Sequence, residues 1–283
     1  MNTIITLTTD FGYVNEYVGV MKGVILAGAP DACIVDLTHG IPPQAVQEAA
    51  YILDASYEYF PAGTIHVVVV DPGVGSARRI VLLRAEGHLF LAPDNGVLTL
   101  LLAKERFESA YEVNRDDLFL KPVSNTFHGR DILAPVAAHL ASGLPANEVG
   151  PQLSIEELTR LSLPAVTIDL ERGSVEGVVV RVDGFGNLIT NILQHALPGT
   201  DAGQQEAKIS VTVKGRTIRG IQAAYDSVQP GTLLAIFGSR NYLEIAANRV
   251  NAAKILNAGP GDMVKISIGT ISHEAQKRKG REQ

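Results

Sequence analysis

The run Ile65-His66-Val67-Val68-Val69-Val70 empties into Asp71-Pro72-Gly73-Val74-Gly75, with Arg78-Arg79 close behind. β-Branched side chains are stiff and pack well on a pleated surface, so the run reads as a buried strand. Acid, proline and glycine then force a tight loop. A strand this apolar belongs to a sheet covered by helices rather than to one facing water. In such α/β domains the chemistry sits in loops beyond the carboxyl ends of the strands, which places Asp71 close to any site.

The surrounding pattern agrees. Residues 4–7 form a short strand closed by Thr8-Thr9-Asp10-Phe11-Gly12, residues 17–27 a helix, and residues 32–37 a second strand ending at Thr38-His39-Gly40. Helical periodicity covers 44–60, the central strand 64–70, short strands 80–83 and 89–92 flank Gly87, and helices follow at 97–102 and 132–142. This βαβ rhythm predicts a Rossmann-like, mostly parallel sheet domain over residues 1–150. The polar stretch 143–163, with Pro145 and Pro151, reads as a linker. Strand-like runs then recur at 166–170, 174–182, 207–213, 217–218, 233–237, 242–246 and 263–268. They predict a smaller antiparallel, β-barrel-like domain over 164–271, of about 110 residues. The tail 272–283, with Lys277-Arg278-Lys279-Gly280-Arg281, reads as a solubilising end.

Bulk properties narrow the partners. With 46% hydrophobic residues in 283, the chain can fill real cores without staples. A net charge of −6 and only 19% charged residues give no field for a phosphate backbone, so nucleic acid is not an expected partner. The lone Cys33 excludes an intramolecular disulfide and a multi-cysteine zinc site, and no His-Glu-x-x-His spacing suggests another metal. Neither a leader-like segment after Met1 nor a membrane-spanning run is visible, so a cytoplasmic location is expected.

Three strand ends present polar groups to one crevice: Asp10, His39 and Asp71. No Gly-x-Gly-x-x-Gly follows the first strand, and there is no phosphate-loop lysine and no Gly-x-Ser-x-Gly. A phosphate-free ligand fits better, and an adenosyl group would suit. Asp10 reads either as a cap on the following turn or as a carboxylate gripping two ribose hydroxyls. Asp71 either starts a turn or orients a small nucleophile, with Arg78 or Arg79 as its charge partner. In Ser124-Asn125-Thr126-Phe127-His128-Gly129-Arg130-Asp131, His128 lies where it can handle a proton or ligand, Phe127 can form an apolar wall, and Asp131 can cap the next helix. Asp183-Gly184-Phe185-Gly186-Asn187 is a hairpin turn or a ligand contact, with Asp183 for an amino group, Asn187 for a carboxylate and Phe185 in contact. Ser239 and Arg240 can donate to a carboxylate, and backbone near Ala247 and Asn248 can meet a base edge.

Together these segments resemble the S-adenosyl-L-methionine (SAM) hydroxide adenosyltransferases, or SAM hydrolases, relatives of the fluorinase and chlorinase. The resemblance runs from Thr9-Asp10-Phe11-Gly12 through Asp71–Gly75, Asn125–Asp131 and Asp183–Asn187 to Leu243-Glu244-Ile245-Ala246. It implies an N-terminal α/β domain, a C-terminal β-barrel-like domain, and a homotrimer with active sites shared between neighbouring subunits. It implies a catalytic set Asp71, Arg78 and His128, with Arg78 preferred over Arg79 by its seven-residue step from Asp71. Asp10 matches the ribose-binding acid, Asp183, Asn187, Ser239 and Arg240 the methionine contacts, and Ala247 and Asn248 the adenine region. Arg249 stands where a smaller residue such as glycine is expected. The implied reaction is water attack at the ribose C5′ of SAM, giving adenosine and L-methionine with no cofactor. The halogenases carry tyrosines at the positions of Asp71 and His128, so a 5′-halogenase is the second reading, and a SAM- or adenosine-binding sensor the third.

Overall fold

The computed structural model describes residues 2–169, 171–197 and 209–269. The basic cluster at 277–281 lies outside the described residues, as does the start of the strand expected at 207–213. The chain divides into two compact units, Met1–Ser162 and Leu163–Gln283.

The first unit is built on seven strands: β1 (Ile4–Thr9), β2 (Cys33–Thr38), β3 (Ile65–Val69), β4 (Ile80–Ala85), β5 (His88–Pro93), β6 (Phe107–Glu112) and β7 (Gln152–Leu153). Their spatial order is β2-β1-β3-β5-β4-β6-β7. All of β3 is buried, because helices cover both faces. Helices α1 (Tyr17–Gly28) and α4 (Ala134–Ala141) pack with Val67 and Val69 on one side. Helices α2 (Val46–Asp54) and α3 (Thr99–Ala103) pack with Val68 and Val70 on the other. Alternate residues of one strand thus feed two cores, which explains a run with no polar face. On α1, Val18, Met21 and Ile25 are buried at helical spacing, the stripe that the sequence periodicity encodes.

The sheet is mixed, which corrects the mostly parallel expectation. Pairs β1–β2, β1–β3 and β3–β5 are parallel, whereas β4–β5, β4–β6 and β6–β7 are antiparallel. The physical reason lies in the β4–β5 connection. Glu86 and Gly87 both take positive φ, 51° and 77°, the left-handed pair that closes a two-residue hairpin. Two residues cannot carry the chain back for a parallel pairing. Nor is 143–163 a free linker: it supplies β7, Thr159 N donates to Asp94 Oδ1 at 2.8 Å, and Leu161 N to Thr99 Oγ1 at 2.8 Å. The helix expected over 44–60 shortens to α2 plus one 3₁₀ turn, Tyr57–Tyr59.

His66, inside β3, is fully buried. Its Nδ1 lies 2.8 Å from Thr6 Oγ1 and its Nε2 3.3 Å from His88 Nδ1. Burial first, and the neighbouring His88 second, push its pKa down to about 3. The ring is therefore a neutral core group.

The second unit contains β8 (Thr167–Asp169), β9 (Ser174–Val182), β10 (Leu188–Leu193), β11 (Ile209–Val213), β12 (Arg216–Arg219), β13 (Leu233–Phe237), β14 (Tyr242–Ala247) and β15 (Met263–Ile268). The order is β12-β11-β15-β9-β10-β14-β13, with β8 added on β9. All these strand pairs are antiparallel. A bridge between Gln222 and Ile236 brings the two ends of the sheet together, so the sheet is nearly closed and barrel-like. Ile209, Val211 and Val213 point inward from β11 while Ser210 and Thr212 are half-buried, the alternation of a sheet with one dry face. Helix α5 (Ala252–Leu256) is capped by Asn251, whose side chain accepts from Lys254 N at 2.7 Å. Among the described residues no helix is long and apolar enough to cross a membrane, and no three His, Cys, Asp or Glu side chains gather as a metal site needs.

Candidate active site

Strands β2, β1 and β3 are adjacent and parallel, so the residues leaving their carboxyl ends, His39, Asp10 and Asp71, arrive at one edge of the first unit. The Asp71 side chain is 5% exposed and the Arg78 side chain 10%, so this pair is sheltered from water. Arg78 Nε donates to both Asp71 oxygens at 2.7 Å, and its Nη2 also donates to Oδ2. Gly73 N adds a donor to Oδ1 at 3.2 Å. Such a fork fixes the plane of the carboxylate. Arg79 points elsewhere, to Asp94 Oδ2 at 2.8 Å and the Glu157 carbonyl at 2.7 Å. Geometry therefore resolves the choice that adjacent arginines left open.

Arg78 also reaches His128, with Nη2 2.9 Å from Nδ1. A guanidinium only donates, so Nδ1 accepts and the neutral ring carries its proton on Nε2. Burial first, then the Arg78 charge, hold the His128 pKa below the ordinary imidazole range, against the opposing pull of Asp71. The loops bearing these residues touch through their backbones. Gly75 has a φ of 79°, and a Cβ there would lie 2.2 Å from the Asn125 carbonyl oxygen. Its glycine character thus serves the meeting of two loops.

The segment after His128 forms a π-helical turn, Gly129–Leu133, before α4. Asp131 does not cap α4. It is fully buried, accepts from Ser124 N at 2.8 Å and Arg130 Nε at 2.6 Å, and so anchors the preceding loop. Phe127 stands edge-on to Phe11 and Tyr17, with ring centres 5.8 and 5.2 Å away, as an apolar wall. Asp10 Oδ2 accepts from Gln44 N at 2.8 Å.

In the second unit, one cavity of about 970 Å³ is lined by Asp183, Phe185, Asn187, Ser239, Arg240 and Ala247, among others. This volume is at the upper end of ordinary ligand sites. The Asp183–Asn187 segment is at once a turn and a wall of this cavity. Asp183 Oδ1 accepts from Phe185 N at 2.9 Å and Asn187 N at 2.8 Å, and Oδ2 from Asn187 Nδ2 at 3.0 Å. Phe185 projects from the turn, 84% exposed. Asn248 is placed differently: it is buried and its Nδ2 donates to the Val228 carbonyl at 2.6 Å.

Sequence reasoning missed Arg181, Tyr225 and Glu244 among the lining residues. Tyr225 donates to Glu244 Oε2 at 2.9 Å, and burial raises the Glu244 pKa despite that bond. Gly238 lies over this carboxylate, where a Cβ would come within 1.9 Å of Oε1. The available signal was one acid inside the apolar run Leu243-Glu244-Ile245-Ala246, because an acid on a buried strand needs a reason. Arg249 also lines the cavity, with a φ of 64°, the backbone region that favours the glycine expected there.

Comparisons with known proteins agree over nearly the whole chain. Residues 5–150 match the SAM hydroxide adenosyltransferase N-terminal domain, and residues 177–265 the C-terminal domain of the same family. The chain is 36% identical over 266 residues to the (R)-S-adenosyl-L-methionine hydrolase of Salinispora arenicola, covering 94% of this chain and 98% of that one. It is 31% identical over 294 residues to a fluorinase of an Actinoplanes species, covering 94% and 98%. The crystal structure of an uncharacterized conserved protein from Thermotoga maritima superposes with a TM-score of 0.86 at 36% identity, covering 93% of this chain and 99% of that chain.

Proposed function

We propose that this chain, which belongs to the SAM hydroxide adenosyltransferase family, hydrolyses S-adenosyl-L-methionine to adenosine and L-methionine. The observation that carries the reading is the sheltered Asp71–Arg78–His128 cluster, which offers an acceptor and a donor at one place. A water bound there donates one hydrogen to the Asp71 carboxylate and accepts from His128 Nε2–H. Its remaining lone pair attacks the ribose C5′. The C5′–S electron pair passes to the sulfonium sulfur, which leaves as the neutral thioether of methionine, and the water proton passes to Asp71 and on to solvent. Departure relieves the sulfur's positive charge, so the leaving group needs no acid. Catalysis then consists of placing the water opposite sulfur in a water-poor site.

On this reading Asp10 holds the ribose hydroxyls and Phe127 closes the apolar side. Asp183, Asn187, Ser239 and Arg240 bind the amino-acid end, Phe185 covers it, and backbone at Ala247 and Asn248 meets the adenine. The buried Asn248 side chain supports a backbone role over a side-chain one. Homotrimer assembly with active sites shared between subunits, and a cytoplasmic location, complete the proposal. A halide ion at the water position would face the Asp71 carboxylate, an unfavourable pairing of like charges in a sheltered place. That disfavours the halogenase reading.

Product analysis in oxygen-18 water, with each sulfonium epimer of SAM and with chloride or fluoride present, tests the reaction. Label is expected in the 5′-hydroxyl of adenosine, with unlabelled methionine. Halogenated adenosine without adenosine would replace hydrolysis by halogen transfer, and turnover at the uncatalysed rate would leave a binding protein.

A further inference from the structure

His39 leaves the carboxyl end of β2 beside Asp10, yet its side chain is fully buried and cannot touch a ligand. Its contacts form a chain across three elements. Lys22 of α1 donates to Asp36 Oδ2 of β2 at 2.6 Å, and Asp36 Oδ1 lies 3.0 Å from His39 Nε2. His39 Nδ1 lies 2.8 Å from Thr9 Oγ1 at the end of β1, and that hydroxyl accepts from Phe11 N at 3.2 Å. The His39 carbonyl accepts from Gly12 N at 2.8 Å. The Tyr13 ring stands edge-on to the imidazole, with centres 5.2 Å apart. His39 thus grips both sides of Asp10, through Thr9 before it and through Gly12 after it.

The direction of the protons follows. Burial raises the Asp36 pKa, but Lys22 and His39 outweigh it and keep the carboxyl below its ordinary range. The Asp36 carboxylate lies 3.0 Å from Nε2 at an angle short of a hydrogen bond, and its charge favours the imidazole proton on that side, which leaves Nδ1 to accept from the Thr9 hydroxyl. The Thr9 oxygen is then turned so that a lone pair meets Phe11 N–H. We infer that His39, oriented by Asp36, is a positioning residue for the ribose contact: it fixes the Thr9–Gly12 loop so that Asp10 presents its carboxylate to the ribose diol.

The inference rests on the assignment of Asp10 to that diol, and its test separates the two. Steady-state kinetics of the full chain are measured with SAM and with its 2′,3′-dideoxyadenosyl analogue. Loss of one orienting hydrogen bond in Thr9→Val or His39→Gln is expected to raise KM for SAM about ten-fold with kcat within about two-fold. The amide of His39→Asn reaches Thr9 as Nδ1 does, and is expected to restore KM to within about three-fold. With the analogue, which has no diol to grip, the same substitutions are expected to leave KM within about two-fold. Wild-type KM in Thr9→Val and His39→Gln, while Asp10→Asn stays impaired, would overturn the inference and leave the diol assignment standing. An equal rise for SAM and the analogue would also overturn it, since the effect would not pass through Asp10. An Asp10→Asn enzyme with wild-type KM removes the assignment itself. If His39→Gln does not fold, Thr9→Val carries the test alone.

Discussion

The two units hold their functional polar groups in opposite ways. In the first, Asp71, Arg78 and His128 are bonded to one another so completely that the carboxylate plane and the imidazole tautomer are both fixed. In the second, a cavity of about 970 Å³ is walled partly by residues bonded within their own turn, as Asp183 and Asn187 are, and partly by the Tyr225–Glu244 pair. Fixed groups suit a reacting atom, for which small misplacements are costly, whereas a roomy cavity suits recognition. On the proposed function, the difference sets the water-handling groups of the first unit apart from the amino-acid and adenine contacts of the second.

The largest expected effect breaks this division if it fails. Asp71→Asn keeps the shape and removes the acceptor charge, so kcat is expected to fall about 10³-fold with KM within about three-fold. Adenosine release followed by chromatography reads both. A dominant KM effect would make the first unit a binding site. Next in size, Arg240→Ala in the second unit is expected to raise KM about 10- to 100-fold, the loss of a charge-assisted carboxylate bond, with a smaller change in kcat. Isothermal titration with a non-hydrolysable SAM analogue checks that the loss is one of affinity.

A further expectation sharpens the contrast in stability rather than in turnover. His66 is neutral in the fold with its pKa near 3, so protonation favours the unfolded chain. Its contribution is present above the ordinary imidazole pKa and is lost as pH falls from there toward 3, by about 1.4 kcal/mol per pH unit. Glu244 has the opposite sign: its pKa is raised by burial, so acid favours the folded form and the contribution is lost as pH rises through the folded value. Hydrogen exchange followed from pH 7 to pH 4.5 is expected to show protection falling first in β3 and β5, with β14 retained. Equal losses in both would contradict the assignment of signs.

Much of this was legible beforehand, for reasons that particular residues show. The strand at 65–69 was visible because both of its faces are apolar, and 174–182, 233–237 and 263–268 because their turns carry glycine or polar residues. The direction of β4 was not, because a βαβ rhythm implies parallel strands and only the positive φ of both Glu86 and Gly87 shows that the link is a two-residue hairpin. β6 and β7 were also missed: Phe107-Glu108-Ser109-Ala110-Tyr111-Glu112 has no dominant period, and β7 is two residues long. At the candidate site, strand ends gave Asp10 and Asp71, but the choice of Arg78 over Arg79 needed either resemblance or coordinates. The Asp131 role was misread because a buried acid beside a helix start resembles a cap when only order along the chain is known. Tyr225 and Glu244 escaped because they are distant in sequence and meet only in the folded unit, Tyr225 from the 3₁₀ turn before β13 and Glu244 on β14.

The contact between Gly75 and the Asn125 carbonyl has a consequence for anyone who would rebuild this protein. Two surface loops ordinarily tolerate exchange one at a time, since each answers only to its own anchors. Here neither can be transplanted, lengthened or randomised by itself, because a change in one displaces the floor on which the other rests. A library that varies residues 72–77 and 124–126 together, with Asp71, Arg78 and His128 kept, is expected to hold more working enzymes than two libraries that vary the loops separately.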